Sequence, residues 1–173
     1  MCGRTVMPGR YDIMRNYNVH NVGKRAPMET EQKVYTPGTV VPAVVLRRNM
    51  RILTGMHWGY GEVYNARVET VKSKSFWADS YDNRRMVFPI SAFWERHWFA
   101  SAEPMAAAGI YRVTIKEGKR QLEASMLTQS STDIVSRSHP RMPVFIPLNQ
   151  LDSWLDGSKD VTQVARELEL EYA

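Results

Sequence analysis

Cysteine is nearly absent: Cys2 is the only one among 173 residues. An internal disulfide is thereby excluded, which fits a reducing cytoplasm, and so is a zinc knuckle. The four histidines, His20, His57, His97 and His139, lack metal-ligand spacing, so neither a metal nor a cofactor is expected. Long apolar runs are missing as well. The longest, such as "TVVPAVVL", fall far short of a bilayer span, and no membrane partner is expected. The opening "MCGRTVMPGRYD" lacks the basic-then-apolar pattern of a secretory signal. In "GYGEVY", Gly59 and Gly61 have no third glycine opening a helix, and no GxxxxGK[ST] phosphate loop occurs. Repeats, low-complexity segments and long linkers are also absent, so a single domain over residues 1–173 is expected.

Basic residues, by contrast, are plentiful and unevenly placed. The net charge is +5, yet residues 151–173 hold six acids and two bases, which leaves about +9 on residues 1–150. Arginine supplies sixteen of the 23 basic side chains, and its planar fork grips phosphate in a bidentate manner. A solvated basic surface and an acidic partner such as nucleic acid account for this charge equally well.

Apolar periodicity points to an α+β fold, strand-rich with a few peripheral helices. "RYDIMRNYNV" has rough helical spacing. "TVVPAVVLRR" and "MRILTGMHWG" read as a hairpin, with Pro42 pushing the first run toward an edge or a bulge. "RRMVFPISAFWER" reads as two short strands broken at Pro89. "AAGIYRVTIKEGKRQLEASMLT" is the clearest hairpin, with a Glu117-Gly118 turn. "PLNQLDSWLDG" predicts a short helix, and "DVTQVARELELEY" an amphipathic one capped by Asp160. The acidic C-terminal part, 151–173, is thus expected to be helical.

Four stretches place polar or ionisable residues among strand-like neighbours: "MCGR", "NARVET", "FWER" and "SHPRMP". Asn65 and Arg67 share a face if their segment is extended. Glu95 sits among aromatics that can desolvate it and raise its pKa. His139 lies in a segment stiffened by Pro140 and Pro143. Singly, each has a plain structural reading: a buried terminal thiol, a turn asparagine, a salt-bridge glutamate, a hydrogen-bonding histidine. Together they suggest chemistry.

Taken in order, "MCGR", "YTPGT", "WGY", "NARVET", "R-x-x-x-P" before "FWE", "AAGIY", "LT" and "H-x-R-M-P" resemble the SRAP family of SOS-response-associated peptidases, from residue 2 to about 155. That resemblance implies a mature N-terminal Cys2 that crosslinks to abasic sites in single-stranded DNA, acting as a monomer in the cytoplasm and on the nucleoid. A ring-opened abasic sugar exposes an aldehyde. An α-amine, titrating near pH 7.7–8.0, would form a Schiff base with it, and the adjacent thiol would close a thiazolidine that only an N-terminal cysteine can make.

The family roles fall on Cys2 as nucleophile, Glu95 as acid–base group and in self-removal of Met1, His139 as proton donor to the sugar ring oxygen, and Asn65 as orienting group. Gly3, Arg4, Pro37, Trp58, Arg67, Thr128 and Arg141 match its DNA-contacting positions, the arginines gripping phosphate. Where the family usually carries a longer loop with base-stacking tryptophans, only "GEV" and Tyr64 separate "WGY" from "NAR". Trp58 and Trp77 are the candidates to replace those tryptophans, and Arg96 stands where the family has tryptophan after "FWE". Two other readings remain: a cysteine peptidase acting in trans, and a non-catalytic nucleic-acid-binding module. Convergence of Cys2, Asn65, Glu95 and His139 distinguishes the reactive readings from the module.

Overall fold

In the computed structural model, which describes residues 1–173, the strand-rich reading holds. The elements follow as β1 (Thr5–Met7), α1 (Arg10–Asn16), β2 (Asn21–Val22), β3 (Lys33–Tyr35), β4 (Val40–Arg47), β5 (Met50–Trp58), β6 (Asn65–Arg67) and α2 (Ser75–Asn83). Then come β7 (Arg85–Trp94), β8 (Trp98–Lys116), β9 (Lys119–Ser130), α3 (Asp133–Ser136), β10 (Arg141–Pro143), α4 (Leu151–Leu155), α5 (Val161–Val164) and β11 (Glu171–Tyr172). No helix is long and apolar enough to cross a membrane.

Neighbour pairing runs β8-β9-β5-β4-β7, and β7 returns to β8, so five strands close into a barrel. The β5–β9 contact is parallel and the other four are antiparallel. Alternation along each strand sends one set of side chains inward and the other outward. Val41, Ala43, Met56, Met86, Phe88 and Met126 belong to the inner core, with Cys2 at its edge. Val44, Leu53, Val87, Ile110 and Leu127 face out, into a second core under α1, α2, α4 and α5.

Both expected hairpins form, each on a two-residue turn with left-handed backbone at both positions: Arg48 and Asn49 (φ 50° and 60°), then Glu117 and Gly118 (φ 50° and 73°). That handedness matches the twist of the flanking strands. Pro42 is tolerated because β4 meets β7 at a single register position, Val44 opposite Val87.

Two expectations are corrected. "RRMVFPISAFWER" is one strand, not two: Pro89 pairs with Ala106, and the irregularity falls between Ile90 and Ala92. On its other edge Pro89 lies between the β4 contact at Val87 and the β1 contact at Ala92. Its missing N–H therefore forfeits no ladder bond there. The C-terminal part is not a long helix. Asp160 caps α5 through a full capping box with Gln163, yet the helix stops at Val164 and Ala165 is extended. Beyond it, Leu168 and Leu170 pack on the inner core while Glu167, Glu169 and Glu171 stay exposed, an alternation of period two. Tyr172 and Glu171 then pair with Phe99 and Ala100 of β8.

Candidate active site

The N-terminus enters the barrel through β1, which pairs with β7 at Phe93 and with β3 at Tyr35. Trp94 N–H donates to Arg4 O at 2.9 Å, fastening the terminus to the end of β7. There the chain turns through Glu95, Arg96 and His97 into β8, with Trp94 opposite Trp98. Arg96 takes the left-handed conformation (φ 64°) that this three-residue turn requires. Glu95 is thus carried on a tight hairpin beside the terminus.

The other groups come from distant segments. β6 lies parallel to β9, with Asn65 opposite Met126, and Asn65 Nδ2 donates to the Cys2 carbonyl at 3.1 Å. His139 follows α3, its N–H held by Val135 O, and its Nε2 sits 3.1 Å from the Met1 ammonium. Glu95 Oε1 lies 3.8 Å from the same ammonium, and Oε2 lies 3.6 Å from His139 Nδ1. Nδ1 faces both the N–H and the C=O of Arg141 at 3.0 Å. Glu95 and His139 therefore flank an amine, and Asn65 holds the backbone that bears the thiol.

Burial sets the electrostatics. The Cys2 thiol is fully buried and pushed from 9.0 up to about 12, chiefly by desolvation and then by the Glu95 charge. It is protonated at neutral pH and a poor nucleophile until its surroundings change. Because the folded value is the raised one, the thiol supports stability below pH 9.0, and that support is lost as pH rises toward about 12. Iodoacetamide at pH 8 is accordingly expected to label the native chain at least about tenfold more slowly than the chain unfolded in guanidinium. Equal rates would mean the thiol is open. Burial also raises the Glu95 carboxyl, against the pull of the Met1 ammonium and His139. Glu95 Oε1 and Asn65 Oδ1 are buried acceptors without a hydrogen-bond partner. Such orphans are uncommon, and an incoming N–H or O–H would satisfy them.

The residues expected to touch DNA divide into two groups. Arg4 and Arg67 are exposed on the rim, Arg4 lying 5.6 Å over the Trp94 ring. Pro37 is half-buried in a loop fastened to the end of β5 by Gly38 N–H to Trp58 O. Trp58, Thr128 and Arg141 are buried. Trp58 is wholly enclosed and packs on Phe88, so it cannot stack on a base, and Trp77 lies in the outer core. Arg141 is clamped by both oxygens of Glu69, at 2.6 and 2.8 Å, and by Thr128. Its fork ties β10 to the turn that follows β6. A Cβ on Gly3 would stand 3.3 Å from the Tyr64 hydroxyl, so glycine here lets Tyr64 close over the terminus.

Glu69, which lies within "NARVET", and Tyr64 thus join the site as organisers to which the sequence reading assigned no role. So do the half-exposed Trp94 and Trp98, whose rings stand 5.4 Å apart beside Glu95. The pattern "WERHW" carries a signal for these two, since residues flanking a three-residue hairpin loop face each other across it.

The architecture recurs in solved structures. A protein from Bacteroides thetaiotaomicron superposes with a TM-score of 0.77 at 14% identity, over 99% of this chain and 91% of that one. A phage-related protein from Bordetella bronchiseptica gives 0.71 at 17% identity, over 99% and 94%. At such identities the likeness speaks for the fold alone. No curated protein matches the chain. The family model described as SOS response associated peptidase matches residues 1–172, and the chain belongs to that family.

Proposed function

We propose that this protein senses abasic sites in single-stranded DNA and fastens itself to them through Cys2 once Met1 has been removed. Membership of the family supports an SOS-associated, DNA-related role. One observation carries the finer reading: Glu95 and His139, from separate segments, converge on the N-terminal amine while Asn65 orients Cys2. The ammonium they flank is that of Met1, so both groups stand one residue from the amine that removal of Met1 frees on Cys2.

Water activated by Glu95 as base first hydrolyses the Met1–Cys2 peptide bond; methionine leaves with the new carboxylate, and the Cys2 nitrogen becomes a free α-amine. That amine attacks the sugar aldehyde, whose opening His139 assists by protonating the ring oxygen. Water leaves as the imine forms. The Cys2 sulfur then adds to the imine carbon and its proton moves to the nitrogen, closing a thiazolidine with loss of one water overall. The raised thiol fits this order, since the amine acts first and the thiol reacts with a bond already held beside it. Arg4 and Arg67 supply the phosphate contacts on the rim.

Protein beginning at Cys2 is expected to form an SDS-resistant adduct with a single-stranded oligonucleotide bearing one abasic site, and Cys2→Ala to form none. An equal band from Cys2→Ala, or no band from either, would sink the proposal.

A further inference from the structure

Several basic side chains on this molecule have an acid of their own: Arg51 with Asp152, Lys72 with Asp160, Arg84 with Asp79, Arg112 and Lys116 with Glu123. One region gathers cations that have none. Strands β5 and β9 pair only at His57 with Glu123 and at Trp58 with Ala124. Before that point they splay, and β2 takes up the edge of β5 at Ile52 and Leu53. The gap between is an open cleft of about 880 Å³, which continues through Arg25 and Leu122 into a groove of about 500 Å³.

Lys24, Arg25, Arg47, Lys119 and Arg120 line these walls, with His57 between them, and none of the five forms an ion pair. Glu117 is the one acid on the lining. Cations so grouped repel one another, and an anion laid among them relieves that repulsion. The acidic tail does not fill the role, since Glu167, Glu169 and Glu171 border a different groove, against Ser101–Glu103 of β8. The sequence asymmetry of charge is therefore also an asymmetry in space.

The cleft also lies apart from the reactive terminus. β9 runs from Lys119 at the cleft to Thr128 near the site, with Leu122 lining the former and Thr128 holding Arg141 at the latter. Six residues of strand separate those two, about 20 Å. The two continuous hollows are too long for one phosphate and suit several in a row.

We propose that this cleft is a second nucleic-acid contact, which takes the phosphate backbone of a strand away from the residue that meets Cys2. It deepens the reading of the protein as a DNA-binding crosslinker and rests on that reading for its role, but not for the binding itself. Lys119 and Arg120 sit on an exposed hairpin tip and take no part in the reactive group.

The test uses the full chain and an intact single-stranded 30-mer, with fluorescence anisotropy followed against salt. Lys119→Glu/Arg120→Glu is expected to weaken binding at least about tenfold. It should also flatten the slope of log K against log salt by roughly 0.7 for each phosphate no longer neutralised. Arg47→Glu, on the other wall, is expected to act in the same direction, which guards against a folding defect confined to the hairpin. Crosslinking to a five-nucleotide strand with the abasic site at its centre, whose two flanking nucleotides on either side are too short to reach the cleft, is expected to be unchanged in both variants. Unchanged affinity and slope would overturn the proposal, as would loss of binding to phosphatidylserine vesicles with DNA binding intact. If the wild type binds the 30-mer through these residues yet never crosslinks, the abasic-site reading fails and the cleft assignment stands.

Discussion

Glu95→Gln is expected to leave Met1 on the purified chain and to slow adduct formation by about 10²–10⁴-fold, the usual contribution of a positioned acid–base group. The carboxylate lies 3.8 Å from the Met1 ammonium and 3.6 Å from Nδ1 of His139, the proposed proton donor, so it faces both the bond to be cut and that histidine. Glutamine keeps the shape and loses the proton-accepting charge. Intact mass reports Met1 retention, and single-turnover gels with abasic DNA report the rate. A second chain, cut by an added protease to expose Cys2, separates the two steps, because only the crosslinking role survives that treatment. Fold stability is not expected to fall. Burial raises the Glu95 carboxyl, so its ionised form costs stability that is present at low pH and lost as pH rises. A neutral side chain removes that cost. Full Met1 removal and a rate within about twofold of wild type would show that Glu95 is not the acid–base group.

Trp154→Ala is expected to cost about 3–5 kcal/mol of stability, the range for deleting a large buried aromatic side chain. Trp154 is completely buried at the end of the outer core, and its indole N–H donates to Met86 O at 3.0 Å. Its ring also stacks beneath the buried Arg85 guanidinium, 4.4 Å away, with Tyr81 at 4.5 Å on the same cation. Removing the indole opens a cavity and withdraws one of two aromatic faces from a charge that water does not reach. The backbone carbonyls of Tyr81, Trp154 and Lys159 still accept from Arg85, so the loss belongs to the ring. Urea unfolding should show the shift in midpoint, and the melting temperature should fall by about 10 °C. Adduct formation well below that temperature should be near wild type, since Trp154 belongs to the outer core and Cys2 to the inner one. A loss under about 1 kcal/mol would mean that the neighbouring side chains collapse to fill the site.

The hairpins are legible in the sequence because their signals are local. Two apolar runs around Arg48–Asn49, and two more around Glu117–Gly118, need only neighbouring residues to pair. The capping box at Asp160 is legible for the same reason. A cap marks where a helix starts and says nothing of where it ends, which is why the C-terminal part departs from a long helix. "ELELEY" alternates by two, and a helix would have turned Leu168 and Leu170 to different faces. Pro89 does not break its strand because the cost of a missing N–H depends on which strand lies on each edge, and that is a property of the assembled sheet.

What the sequence determined by itself was the chemistry on offer: one thiol beside the initiator methionine, an ordered set of motifs, and a basic body with an acidic tail. Residue types and local spacing carry such information without any knowledge of the fold. Tertiary structure alone decided which groups meet. It brought Glu95 and His139 to one amine across 44 positions of chain, paired Arg141 with Glu69, and buried Trp58. It also gathered five unpaired cations where two strands part. Burial and long-range pairing arise from barrel closure, which depends on every strand at once, so no single stretch of sequence could announce them.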